Sequence, residues 1–189
     1  MQTRIKRKLM AAAALRRRVA AAVMLVLGGL SGWSAAQAGL LFDPDPNWAE
    51  EEVALPASLD RGQLQRFEVE AGNANQHYID TGSLSVGSDG VVRYVLLITT
   101  PGGAENISFE GLRCASGQWR RYASADAGGE WLPARKAQWQ AIGDRGRNRP
   151  RAALAYDYFC DGPAAPRDRE HALRLLRSSR DSGSREVVR

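Results

Sequence analysis

Only two His and two Cys occur among the 189 residues. A metal site would need more ligands than Cys114, Cys160 and the isolated His77 and His171 supply at these spacings. A dithiol redox motif would place its cysteines three positions apart, and these are not. No Gly-x-Ser-x-Gly elbow is present, and no glycine-rich loop opens a helix after a strand. The longest apolar run, Val19 to Leu30, is too short to span a hydrocarbon core, which takes about 20 residues. No cofactor and no metal are expected.

Charge is unevenly spread. The first 38 residues hold seven Lys or Arg and no acid, and Arg167 to Arg189 holds seven Arg against four acids. The remainder carries 12 basic and 17 acidic side chains, so the body is acidic although the whole chain is +5. A nucleic-acid surface needs clustered cation on the folded body, and this distribution argues against such a partner.

What is present begins with an export signal. Arg4, Lys6, Arg7, Lys8 and Arg16-Arg17-Arg18 precede the Val19–Leu30 run, and Ala36-Gln37-Ala38 follows it. That order predicts a signal peptide over 1–38, cleaved between Ala38 and Gly39, with the periplasm as destination and no stable membrane anchor after processing. Met10 is an alternative start, and the general secretion route fits better than the twin-Arg one. Export places Cys114 and Cys160 where disulfides persist, and their even count predicts that they pair.

Residues 39–64 read as an extended, Pro-punctuated acidic lead-in, with Trp48 a hydrophobic peg. Residues 65–180 read as one domain and 181–189 as a disordered tail. Gly87-Ser88-Asp89-Gly90 is a hairpin cue between Leu84–Val86 and Val91–Thr99. The nearly continuous apolar run in the latter predicts a strand covered on both faces. Ile107 and Phe109 have one parity, Leu112 and Cys114 the other, which places a bulge at Gly111. Pro150 fits the first turn of a helix with Ala152, Ala153, Tyr156 and Phe159 on its inner side. Asp168 fits as the cap of a second helix bearing Ala172, Leu173 and Leu176. Strands first and helices last predict α+β: an antiparallel sheet of about five to seven strands, two C-terminal helices and one disulfide.

Asp80-Thr81-Gly82-Ser83 reproduces an aspartic-protease signature, and Ala141-Ile142-Gly143 supplies an apolar-apolar-Gly element downstream. The chemistry needs two such Asp residues sharing a proton, so a chain with one must dimerise. Asp80 equally reads as part of a strand-ending turn. Glu110, Arg113, Arg120 and Arg121 on adjacent strands form a possible polar site, or cross-strand ion pairs on a solvated face. Trp48, Trp119, Trp131 and Trp139 serve either sugar stacking or core packing.

The phrases FDPDPNWAEEEVALP from Phe42, YIDTGSLSVGSDGVVRY from Tyr78, ISFEGLRCASG from Ile107, AQWQAIGDRGRN from Ala137, ALAYDYFCDG from Ala153 and RDREHALRLLR from Arg167 together resemble the cryptic neisserial protein-like family of exported bacterial proteins. The resemblance spans about 42–177. It implies that Cys114 and Cys160 are the two family cysteines and brings no established activity, cofactor or catalytic residue. The expected function is a non-enzymatic binding or interaction module of the cell envelope, whose partner is an envelope protein or glycan. The enzymatic alternative is a dimeric retroviral-type aspartic peptidase using Asp80.

Overall fold

A computed structural model describes residues 45–185 apart from Ala71 and Ala127, with side chains through Ser178. The expected signal peptide, its Ala38–Gly39 cleavage point and the first residues of the lead-in lie outside the described residues. Each tight connection between strands sits where the sequence carries Gly, and Gly90, with φ 74°, closes the Gly87–Gly90 turn in a conformation other residues resist. Antiparallel neighbours follow: β1 (Leu64–Phe67), β2 (Gln76–Val86), β3 (Val91–Thr99), β4 (Glu105–Arg113), β5 (Gln118–Ala125) and β6 (Trp131–Pro133) pair in chain order. A short β7 (Gln140–Ala141) also pairs with β5, at Gln118 and Trp119.

β3 is covered on both faces, as its composition predicts. Val92, Tyr94 and Leu96 join the core beneath the helices, and Val95 and Leu97 join a second core with Ile107, Phe109 and Tyr122. The lead-in covers that second core through Val53 and Leu59. Asp89 of the β2–β3 turn fastens it: the Glu51 amide donates to the Asp89 carboxylate at 3.0 Å, and Trp48 Nε1 donates to the Asp89 carbonyl at 2.8 Å.

Gly111 calls for a correction. β4 alternates without a phase change, because residues of both parities are buried against two different covers. The register shift falls at Phe109/Glu110, where Tyr122 of β5 is the extra residue. Gly111 is needed for space, since a Cβ there would lie 2.3 Å from the Tyr122 hydroxyl.

Helix α1 (Arg149–Ala153) runs on as a π-helix, Leu154–Phe159, and α2 spans Arg169–Arg185. The wider turn displaces the inner face by about a residue: Tyr158 and Phe159 are buried, whereas Tyr156 is 64% exposed, contrary to the regular-helix spacing. Cys160 N–H closes the π-turn on the Ala155 carbonyl at 2.8 Å, and Cys160 is disulfide-bonded to Cys114 with a Cα separation of 5.5 Å. Asp168 caps α2 by accepting from the His171 amide at 2.7 Å, and Ala172, Leu173 and Leu176 face the core. The helix runs past Asp181, where the sequence reading begins a tail, to Arg185. The architecture is α+β, a seven-stranded antiparallel sheet followed by two helices and stapled by one disulfide.

Candidate functional site

Strand alternation divides the expected quartet between the two faces of the sheet. Glu110 and Arg121 are register partners, and Arg120 is opposite Gly111 with the reverse parity. Arg113, of that same parity, lies with its Cζ 3.8 Å over the Trp48 ring. Arg120 pairs with Glu50, which also accepts from Tyr122 at 2.5 Å and Trp139 Nε1 at 3.2 Å. Arg113 and Arg120 thus hold the lead-in.

Glu110 is completely buried rather than solvated, and its partner comes from outside the quartet. Arg151 of α1 grips it bidentately, Nε donating to Oε2 at 2.8 Å and Nη2 to Oε1. Ser108 adds a bond to Glu110 Oε1 at 2.7 Å. Burial works against the charge on Arg151, but Glu110 outweighs it and the guanidinium is held even more firmly protonated than usual. Arg151 also donates to the Arg147 carbonyl at 2.7 Å and lies 4.5 Å over the Trp119 ring. The pair therefore joins α1, the loop before it, β4 and β5.

Above this junction opens a cleft of about 740 Å³ between the sheet and the start of α1. His77, Asn106, Trp119 and Arg121 contribute from the strands, and Arg147, Asn148, Arg149 and Arg151 from the loop and α1. Asn73, Asn75 and Gln140 stand around it. Its lining holds four Arg and no carboxylate. Arg149 is paired with Glu70, and Arg151 with Glu110. Arg121 and Arg147 have no partner among the described residues. The one hint of this cleft in the sequence is the polar, Arg-rich stretch Gly143–Arg149; no spacing rule joins Glu110 to Arg151 across 41 positions.

His77 is 3% exposed, packs 5.7 Å from the Phe67 ring and makes no hydrogen bond among the described residues. Burial chiefly lowers its pKa; Glu68 opposes this, and Arg151 and Arg66 add to the lowering. His171 stands apart on α2, its Nδ1 accepting from the Arg167 amide. Among the described residues no three His, Cys, Asp or Glu side chains gather as a metal site would require.

The four tryptophans among the described residues are engaged in packing. Arg113 and Trp139 lie against Trp48, Arg151 covers Trp119, and Trp131 packs on Phe109.

Asp80 is not at a strand end. It sits inside β2, 1% exposed, at the start of a register shift. Its Oδ1 accepts from the Gly82 amide at 2.8 Å and its Oδ2 from the Asp60 amide at 3.2 Å, so it ties the lead-in to β2. The Ala141–Gly143 element begins in β7, beyond β5 and four strands from β2, or roughly 19 Å at normal strand spacing. Gly143 approaches only Asn148, so nothing places it beneath the Asp80 loop.

A family model described as "CNP1-like family" matches residues 43–177. A relative from Neisseria gonorrhoeae (strain ATCC 700825 / FA 1090), "Cryptic neisserial protein 1", is 30% identical over 111 residues, which cover 52% of this chain. The aligned stretch is 54% of that relative, so the chain spans about half its length. No solved structure matches.

Two outcomes follow from these placements. Asp80→Asn turns one of two acceptors into a donor facing an amide, and should cost about 1–3 kcal/mol in urea unfolding; no loss would show that the two bonds are dispensable. His77, with its folded pKa below the ordinary ~6.5, binds a proton in the unfolded chain before it does in the folded one. Stability should therefore fall as pH drops below ~6.5 toward the folded pKa. His77→Gln should flatten that part of the curve, and unchanged pH dependence in the variant would assign the effect elsewhere.

Proposed function

The chain belongs to the CNP1-like family, and we propose that it is an exported, non-enzymatic binding module of the cell envelope that takes its ligand in the cleft between α1 and the sheet. The observation that carries this reading is the lining itself. A cleft of about 740 Å³ falls in the usual size range of small-ligand sites, ~300–1,000 Å³. It offers guanidinium, amide and imidazole groups and one hydroxyl, that of Thr100, but no carboxylate or thiol. Such a set recognises mainly by donating hydrogen bonds. The Thr100 hydroxyl accepts from the Ala104 amide at 3.1 Å and shares no hydrogen bond with His77 among the described residues, so the two form no activated nucleophile–base pair.

Support for export comes from the charged, apolar and small-residue order of residues 1–38 and from the Cys114–Cys160 disulfide, a bond favoured in oxidising compartments. The peptidase alternative gains no support, because both carboxylate oxygens of Asp80 are occupied by backbone amides. Sugar stacking on tryptophan loses ground too, since the rings already pack against other side chains.

Site-directed photo-crosslinking in the native bacterium tests the proposal. A probe at Asn106, exposed in the cleft, should trap an envelope component that a probe at Leu55, exposed on the lead-in, does not. Identical products from both positions, or recovery of the protein with the cytoplasm, would overturn it.

A further inference from the structure

We propose that the cleft is an oxyanion site, in which Arg121 and Arg147 clasp a carboxylate or phosphate while Trp119 and His77 offer nitrogen-borne hydrogen bonds from the floor. The inference rests on reading the cleft as the binding site and names the chemistry of its ligand.

Charge is the first argument. Between residues 39 and 166 acids outnumber bases by 17 to 12, yet four of those 12 basic side chains line this one cleft with no acid among them. Like charges brought together repel, and on an acidic body their convergence calls for a compensating anion. Two of the four have one: Arg151 is spent on Glu110 and Arg149 on Glu70. Arg121 and Arg147 remain exposed without an acceptor among the described residues.

Preorganisation is the second. The Arg147 backbone is fixed by the Arg151 bond to its carbonyl, and Arg121 stands on the central part of β5. A planar guanidinium presents paired N–H groups matched to the two oxygens of a carboxylate or phosphate. A cleft held by a buried ion pair keeps that geometry before the ligand arrives.

An unmet polar group is the third. Trp119 is 4% exposed and its Nε1–H is buried without a partner. The His77 imidazole, 3% exposed, stands beside it as a second nitrogen-bearing group of the floor. Both line the cleft. A buried donor without an acceptor is costly, and a ligand oxygen reaching the floor would relieve it. The donor-rich lining repels metal cations, and a single cleft on an acidic body suits a compact anion better than a nucleic-acid backbone.

The test uses the mature protein and NMR of its indole and imidazole nitrogens, with glucuronate, glucose 6-phosphate and glucose as matched probes. Either or both anions should shift the Trp119 and His77 signals while glucose leaves them in place; which anion does so distinguishes carboxylate from phosphate. Arg121→Gln and Arg147→Gln, both at exposed positions, should each weaken binding about tenfold, and Arg174→Gln on the exposed side of α2 should not. Equal shifts with glucose, no shift with either anion, or wild-type affinity in both cleft variants would overturn the proposal. So would binding of a short DNA duplex where the small anions fail. Crosslinking from Asn106 without any anion response would leave the binding module standing and remove only its anion.

Discussion

The Glu110–Arg151 pair ties the first helix to the sheet through two buried, opposite charges. Glu110 sits on the fourth strand with none of its surface exposed, and Arg151 reaches it from the first helix with its own side chain buried. Taking two such charges out of water costs several kcal/mol each, and the attraction offsets this only where every remaining polar atom is satisfied. Here Ser108 serves the carboxylate, the Arg147 carbonyl serves the guanidinium, and Trp119 lies beneath it. The arrangement fixes the helix on the sheet and the loop on the helix. The cleft opens between the same helix start, loop and strands that the pair joins.

The opposite face is held by the same kind of chemistry nearer the surface. Glu50 gathers Arg120, Tyr122 and Trp139, and Asp89 gathers Arg93 and the Glu51 amide. Burial alone would raise the Asp89 carboxyl pKa, but Arg93 and the amides of Glu51 and Val91 outweigh it and hold the group below the usual carboxylate range. Burial, and then the bond to Glu50, push the Tyr122 hydroxyl the other way, so it stays a donor. The acidic lead-in is therefore a cover with specific anchors. Without it Val95, Leu97 and Phe109 would lose the cover that Val53 and Leu59 give them, and the third strand would be fully covered on one face only.

Much of the architecture was legible in the chain. Apolar runs with β-branched residues marked the strands, Gly-containing turns marked their joins, and Pro150 and Asp168 marked the helix starts. What local pattern cannot register is a second cover. Two parities in the fourth strand look like a phase change when one face is assumed to be wet, and Gly111 then looks like its cause. The space under Tyr122 comes from a strand partner and leaves no trace in spacing. Tyr156 misled because a π-turn breaks the period on which the helical face was counted. The cleft was least legible: Arg121 was visible, but no local pattern singles out Arg147 in the loop before the first helix or Arg151 within that helix. Their meaning depends on a carboxylate 41 positions earlier. Glu110 itself carried the signal of a charged residue in an apolar strand, and its partner had to be found in space.

The most direct measurement is a double-mutant cycle in urea on Glu110→Gln and Arg151→Met. If the buried pair organises the fold, each single change strands a partner and costs about 3–5 kcal/mol, while the double variant loses clearly less than the sum. Single changes costing under about 1 kcal/mol, or costs that simply add, would contradict the account and leave the helix held by hydrophobic contact and the disulfide alone.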